Sequence, residues 1–119
     1  MPKIIDIKDD YNEAHLKTVS YSPLILKAMR DLKSPIKSMA QWRTLNSLIE
    51  YGELDLTELS MLTGTLMPSL SRLIPELELQ LLVKADIDDG DKRRLLVQIT
   101  AKGKNAVSKV LNHWVEPNE

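Results

Sequence analysis

Apolar residues recur at helical spacing over much of the chain. The first such segments are 22–33 (SPLILKAMRDLK) and 38–52 (SMAQWRTLNSLIEYG). In the second segment, Ser38 and Gln41 have the spacing of a capping box, and Gly52 is a natural C-terminal stop. Each segment therefore predicts an amphipathic helix.

Two shorter helical segments follow, separated by the tight link GTL. Asp55 and Glu58 again have capping-box spacing, and they open the segment LTELSMLTG at 56–64. The next segment, 68–80, carries an apolar stripe at helical spacing, which consists of Leu70, Leu73, Ile74 and Leu77. Two short helices joined in this way predict a helix-turn-helix whose second helix is 68–80.

A proline interrupts the second of these helical patterns. Pro75 costs about 3 kcal/mol in a helix interior and removes the hydrogen-bond partner of the Ser71 carbonyl. Because the apolar stripe must be buried, we still predict a helix, with Pro75 on the opposite, exposed face. We expect the helix to bend away from Pro75, so that Glu76 and Glu78 tilt away from a ligand bound to this face.

The periodicity changes after residue 80. The runs 81–87 (LLVKADI) and 93–100 (RRLLVQIT) are β-prone and flank the turn-rich connector DDGDK, which predicts a hairpin with a charged tip. The last segment, 100–115, is again helical, with Thr100 as its N-cap. The order of elements predicts a mainly α fold with a small β-hairpin wing (α+β), a winged helix-turn-helix.

Composition limits the classes of protein that fit this fold. The chain has 119 residues, enough for one compact domain, and 43% of them are hydrophobic. It has no cysteine, which excludes disulfides and thiolate metal sites. No apolar run reaches the roughly 18 residues of a membrane span, and no signal-peptide core is visible, so we expect a cytoplasmic protein without a membrane partner.

The net charge of the whole chain does not indicate nucleic-acid binding, but one short segment is strongly basic. The net charge is −1, whereas nucleic-acid binding usually needs a basic patch. Residues 92–104, however, carry cations and no acid. These cations are Lys92, Arg93, Arg94, Lys102 and Lys104.

Motifs of enzymes and metal sites are weak in this chain. The stretch DIDDGD resembles a calcium loop, but its glycine is misplaced and Val97 stands where a closing glutamate belongs. Ser34 and Lys37 have the spacing of some acylating enzymes without the companion motifs. His15 and His113 are isolated. We therefore expect no enzyme activity, no metal and no cofactor.

Residues 41–103 resemble the DNA-binding domain of MarR-type bacterial transcriptional regulators. The most specific part is Asp91-x-Arg93 followed by RLLVQIT and AKG, which resembles that family's wing signature in residue type and spacing. The pair Pro68-Ser69 at the start of the recognition helix is also common there. The resemblance implies a homodimer that binds a pseudo-palindromic operator of double-stranded DNA. The segment after Thr100 has room for one terminal helix instead of the usual two, which points to a shortened member.

The resemblance and the residue types together give a candidate DNA interface. The recognition helix 68–80 is expected to enter the major groove and the wing 88–94 the minor groove. The side chains assigned to DNA contact are Thr65, Pro68, Ser69, Ser71, Arg72, Lys92, Arg93 and Arg94. Asp91 lies two residues before Arg93 and is expected to orient it, a role that the resemblance also implies. Solvation alone also explains charged residues at a hairpin tip.

The remaining apolar residues divide between the core and a dimer interface. The expected core residues are Leu45, Leu48, Ile49, Leu59, Leu62, Leu73, Leu77 and Val97, with Trp42 in the core or lining an effector pocket. The expected dimer residues are Leu24, Ile25, Met29, Val110 and Trp114. The chain is expected to divide into an arm and short dimerisation helix at 1–37, the winged helix-turn-helix at 38–100, and a dimerisation helix and tail at 101–119. Nothing in the sequence identifies a small-molecule effector.

Two other functions fit the same pattern. The near-neutral charge and the acidic first helix of the helix-turn-helix favour a winged-helix module that binds protein, such as an anti-regulator or an assembly scaffold. A plasmid or phage replication or partition protein is the other alternative.

Overall fold

The computed structural model describes residues 22–115, except for the side chains of residues 114 and 115. The predicted arm, His15 and the interface role of the Trp114 side chain lie outside the described residues. Within them the chain forms five helices and three strands. In chain order these are α1 (Ser22–Asp31), α2 (Met39–Tyr51), β1 (Leu54–Asp55), α3 (Leu56–Thr63), α4 (Met67–Leu79), β2 (Val83–Asp88), β3 (Asp91–Ile99) and α5 (Ala101–Val115). The predicted α+β winged-helix class is confirmed.

The predicted capping residues begin α2 and α3. The Asp55 carboxylate accepts a hydrogen bond from the Glu58 N–H, and the Glu58 carboxylate accepts one from the Asp55 N–H, so the capping box of α3 is complete. At α2 only half of the predicted box forms. Ser38 accepts a hydrogen bond from the Gln41 N–H, but the Gln41 side chain accepts one from the Lys37 N–H instead of from Ser38.

The end of α4 is fixed by backbone hydrogen bonds. The Leu82 N–H donates to the Leu77 carbonyl and the Leu81 N–H donates to the Glu78 carbonyl, which is a Schellman motif. Leu81 takes the left-handed conformation, with φ 63°, that glycine usually occupies there. Leu77 and Leu82 are both fully buried, so they supply the hydrophobic contact typical of this motif.

The helices pack around one hydrophobic core. Most of the predicted core residues are buried, namely Trp42, Leu45, Leu48, Leu59, Leu73, Leu77 and Val97, while Leu62 is half-buried against them. The prediction for Ile49 is wrong, because its side chain is 44% exposed. Ile49 lies seven residues after the buried Trp42 and so on the same side of α2. This side of the helix is therefore buried at Trp42 and exposed to solvent at Ile49.

The wing is the hairpin of β2 and β3, and β1 extends it to a three-stranded antiparallel sheet with strand order β1-β3-β2. The short strand β1 was not predicted. It pairs Leu54 with Val97 and Asp55 with Leu96. Asp55 therefore belongs to the sheet and caps α3 at the same time, which joins the wing directly to the helix-turn-helix.

The wing is also joined to the last helix. The Thr100 hydroxyl oxygen accepts a hydrogen bond from the Gly103 N–H, as expected of an N-cap, and its O–H donates to the Leu81 carbonyl. The Thr100 N–H donates to the Leu82 carbonyl. A Cβ added at Gly103 would lie 2.2 Å from the Leu82 carbonyl oxygen, so this close approach needs glycine.

Residues at the two ends of the described chain pack against each other. Ile25 and Met29 of α1 and Val110 of α5 are each at most 4% exposed within one chain. A side chain this deeply buried has no surface for a second chain, so these three residues belong to the core and not to the predicted dimer interface. Leu24, on the same helix, is exposed. No helix within residues 22–115 is long and apolar enough to cross a membrane.

Candidate nucleic-acid interface

Helix α4 divides into a buried and an exposed face as predicted. Its apolar stripe is buried, and the opposite face exposes Pro68, Ser69, Ser71 and Arg72. Arg72 forms no hydrogen bond or ion pair with any residue in the described part of the chain. The first two turns of α4 therefore present hydroxyl groups and an unpaired guanidinium to a ligand.

Exposed apolar residues at the start of α4 were missed in the sequence analysis. The helix begins at Met67, one residue earlier than predicted, and its N-cap Leu66 makes no side-chain cap hydrogen bond. Leu66 and Met67 are both exposed beside Pro68. Pro68 was a usable signal, because a proline in the first turn marks the start of a helix and so places Leu66 and Met67 at that start.

Pro75 does not break α4. The helix is continuous from Met67 to Leu79, and Pro75 lies on the exposed face as predicted. The next residue, Glu76, accepts a hydrogen bond at 3.2 Å from the side-chain amide of the buried Gln41 of α2. The second half of α4 is thereby held against α2. The bend at Pro75 stays a prediction.

Thr65 lies in the turn of the helix-turn-helix and is largely buried. Its N–H donates to the Thr63 hydroxyl oxygen, and its carbonyl accepts a hydrogen bond from the Ser60 hydroxyl. These bonds fix the link between α3 and α4. The side chain therefore has little surface for the DNA contact assigned to it from the sequence. Thr65 instead stabilises the turn between α3 and α4.

The wing tip contains a bulge that carries the basic residues. Ile87 pairs with Leu95, but the next residue, Asp88, pairs with Asp91, so residues 92–94 have no partner in β2. Asp89 and Gly90 close the hairpin. The bulge leaves three consecutive basic residues of β3 without a partner in β2 at the tip.

Within the bulge, Arg93 is directed by Asp91. One Asp91 carboxylate oxygen accepts hydrogen bonds from the Arg93 backbone N–H at 3.0 Å and from Nε of its side chain at 3.2 Å. These two bonds hold the pKa of Asp91 below its usual value of 3.8. The Arg93 side chain is nonetheless 91% exposed. Lys92 is exposed too and has no ion pair within residues 22–115.

Arg94 is in a different environment from its two neighbours. Its Nε donates to Asp55 at 2.7 Å, and a terminal nitrogen donates to Asp88 at 3.3 Å. The other terminal nitrogen lies 3.8 Å from a Glu58 carboxylate oxygen. Hydrogen bonds to Asp55 and Asp88 raise the pKa of Arg94, which is charged in any case. Its donors are therefore engaged inside the protein.

Across residues 22–115, no group of three or more histidine, aspartate or glutamate side chains is arranged to hold a metal ion. The exposed cations of the site are Arg72 on α4 and Lys92, Arg93 and Arg94 on the wing, of which Arg94 is held by carboxylates of the protein. Such groups suit a polyanion.

Solved structures with the same architecture cover most of the chain. MarR from E. coli, in its apo form, matches with a TM-score of 0.70 at 20% identity, over 95% of this chain and 78% of that one. The transcriptional regulator Tm0710 from Thermotoga maritima matches with a TM-score of 0.65 at 25% identity, over 84% and 70% of the two chains. A mutant of S. aureus MepR bound to an oligodeoxyribonucleotide matches with a TM-score of 0.68 at 18% identity, over 91% and 77%.

The described fold and these matches define the class of protein. The chain is a winged helix-turn-helix protein, with α3 and α4 as the helix-turn-helix and the hairpin of β2 and β3 as the wing. Its fold is that of the MarR-type regulators, as the sequence predicted. No family model and no curated protein sequence matches the chain.

Proposed function

We propose that the protein is a transcriptional regulator that binds double-stranded DNA sequence-specifically as a homodimer. The start of the recognition helix 68–80 enters the major groove, and the wing 88–94 enters the adjacent minor groove. The protein acts in the cytoplasm and needs no cofactor. A neighbour with the same fold is bound to an oligodeoxyribonucleotide, which supports this assignment.

The observation that carries the proposal is the geometry of Arg93. Its side chain is 91% exposed at a protruding tip, and its direction is set by two hydrogen bonds to one Asp91 oxygen. A planar, weakly hydrated guanidinium suits a narrow minor groove, where the negative potential is enhanced. Lys92 beside it adds a phosphate contact.

The exposed part of α4 supplies groups that read bases. The Arg72 guanidinium can donate two hydrogen bonds to a guanine edge, and Ser69 and Ser71 can bond bases or phosphates. Met67 and Pro68 offer apolar surface for thymine methyl groups. Glu76, which follows Pro75 on the same exposed face, repels phosphates. Base reading therefore stops within the first two turns of the helix.

A two-fold dimer places two such helices on one side of the duplex. The operator is then pseudo-palindromic, with half-site centres about one helical turn apart. Leu24 of α1 is an exposed apolar residue that a second chain can cover. Ile25, Met29 and Val110 are not part of that interface, because they are buried within one chain.

A gel-shift titration at about 150 mM salt tests the proposal. The probe is a duplex from the region upstream of the protein's own gene, and the control is a duplex of the same length and composition with a shuffled sequence. We expect the upstream duplex to bind at least tenfold more tightly. A chain that binds neither duplex favours a protein-interaction module or an anti-regulator. Binding restricted to a plasmid or phage origin favours a replication or partition protein.

A further inference from the structure

We propose that Arg94 positions the wing and does not contact DNA. Asp55 and Asp88 hold its guanidinium, which fixes the hairpin tip against the N-terminus of α3 and so aims Arg93 at the minor groove. This inference rests on the proposed DNA-binding function and assigns a different task to each of two adjacent arginines.

The strand register places Arg94 and Asp55 together. Asp55 in β1 lies opposite Leu96 in β3, and its backbone neighbour Leu54 lies opposite the buried Val97. Side chains two residues apart on a strand share a face, so Arg94 is the diagonal neighbour of Asp55 on the outer face of the sheet. The 2.7 Å bond from Arg94 Nε to Asp55 is this diagonal contact.

Asp55 and Asp88 each use one oxygen for local structure and the other for Arg94. In Asp55, Oδ1 caps α3 by accepting a hydrogen bond from the Glu58 N–H, while Oδ2 accepts one from Arg94. In Asp88, Oδ1 accepts a hydrogen bond from the Gly90 N–H in the turn, while Oδ2 accepts one from Arg94. The guanidinium therefore bridges the helix cap and the hairpin turn.

The charges around Arg94 also argue against a DNA contact. Three carboxylates, from Asp55, Asp88 and Glu58, lie within 4 Å of this one guanidinium. The Arg94 side chain is only 42% exposed, compared with 91% for Arg93. A cation already neutralised by protein carboxylates releases few counterions from DNA when the complex forms. Its planar fork suits the simultaneous engagement of several acceptors.

Salt-dependent binding separates the two arginines. The measurement is the slope of log affinity against log salt for the full chain on the upstream duplex. Arg93→Ala should weaken binding and reduce the slope by about 1, because one phosphate-directed cation is lost. Arg94→Ala should weaken binding by roughly tenfold, because the wing loses its direction, and leave the slope unchanged.

Replacement of Asp55 distinguishes a positioning role of Arg94 from a direct DNA contact, because the two roles predict different changes in DNA affinity. Asn is as good an N-cap as Asp but carries no charge, so Asp55→Asn keeps the cap of α3 and weakens the bridge to Arg94. If Arg94 positions the wing, Asp55→Asn weakens DNA binding and is non-additive with Arg94→Ala. If Arg94 contacts DNA, removing Asp55's charge leaves binding unchanged or strengthens it, and this result overturns the inference.

A matched control and a DNA-free measurement complete the test. Gln98→Ala removes the Gln98–Glu53 hydrogen bond, which also joins β3 to the segment before β1 but lies farther from the tip, and should leave affinity unchanged. Arg94→Lys should rescue binding only in part, because one ammonium cannot bridge both carboxylates with a fork. Amide hydrogen exchange at residues 88–94 should speed up in Arg94→Ala without DNA, while α2 and α5 keep their protection.

Failure of this inference is distinguishable from failure of the proposed function. If the wild-type chain does not bind the duplex, the proposed function fails, and the hydrogen-exchange comparison still tests whether Arg94 holds the wing. If the wild-type chain binds and Arg94→Ala reduces the salt slope by about 1, the proposed function stands and the positioning role of Arg94 is wrong.

Discussion

The two oxygens of the Asp55 carboxylate connect two parts of the fold. One accepts a hydrogen bond from the N–H of Glu58 at the start of α3, and the other accepts one from Arg94 of β3. The bond from the Glu58 N–H, followed by that from Arg94, holds the pKa of Asp55 below its usual value of 3.8. The charged groups that face Asp55 are Arg94 of β3 and Glu58 of α3, with Asp88 of β2 on the far side of Arg94.

The lowered pKa of Asp55 predicts an acid-dependent contribution to stability. A carboxyl with a depressed folded-state pKa stabilises the fold above its unfolded pKa, and this contribution is lost as pH falls through the folded-state pKa. Asp55→Asn should therefore lose less free energy of unfolding than the wild type as pH falls from about 5 to about 2. Denaturant titrations across this range measure it. Identical pH slopes for the two chains would contradict the assigned role of the Asp55 carboxylate.

At the scale of elements, the wing depends on its junction with α5. Thr100 caps α5 and bonds the Leu81 carbonyl, and Gly103 allows the helix to approach the Leu82 carbonyl closely. These contacts fix the base of the hairpin against α5, and this base lies at the opposite end of the wing from Arg94.

Gly103→Ala should lower the free energy of unfolding by about 2–4 kcal/mol. The added Cβ would lie 2.2 Å from the Leu82 carbonyl oxygen and 2.7 Å from Ile99 Cγ1, so backbone must move. Urea denaturation measures the loss. The control is Asn105→Ala in the same helix, where the side chain is exposed and the change should be within about 0.5 kcal/mol. Equal stabilities for the two variants would exclude a tight junction at Gly103.

Local sequence signals predicted most elements of this fold. Apolar periodicity and capping residues placed the helices within one or two residues, and the β-prone runs around DDGDK placed the hairpin. The stripe of α4 fixed its buried face despite Pro75, because burial of four large side chains outweighs the proline's cost.

The unpredicted features depend on contacts between distant residues. Strand β1 is two residues long and pairs with residues about forty positions later, so it leaves no local pattern. The hydrogen bond from Arg94 to Asp55 depends on that pairing, so the sequence pattern did not predict it either. Ile49 and Val110 show the same limit, since apolar character alone does not tell a core position from an interface or an exposed position.

Pro75→Ala should stabilise the chain by about 1–3 kcal/mol. Alanine restores a backbone N–H for the Ser71 carbonyl, and Pro75 is exposed, so no packing is lost. The proposed function confines base reading to the first two turns of α4, so affinity for the upstream duplex should change less than threefold, whereas Arg72→Ala should lose tenfold or more. Thermal unfolding and the gel shift measure the two effects. A large affinity change in Pro75→Ala would show that the reading surface extends beyond Arg72.

At the scale of the whole molecule, the proposed function places the wing and the recognition helix on one duplex. The net charge of −1 leaves little non-specific attraction for DNA, so in the proposed complex the affinity comes from a few placed groups, chiefly Arg72, Lys92 and Arg93. A two-fold dimer doubles this set and demands a symmetric site.

The most direct test is selection of bound duplexes from a random-sequence pool by the full chain at about 150 mM salt. The proposed function predicts enrichment of an inverted repeat whose half-site centres lie about 10 base pairs apart, with an A·T-rich flank at each end where the wings enter the minor groove. Arg93→Ala should lose the preference in the flanks and keep the preference at the centre of each half-site. Enrichment of no sequence, while the chain remains folded, would contradict sequence-specific DNA binding.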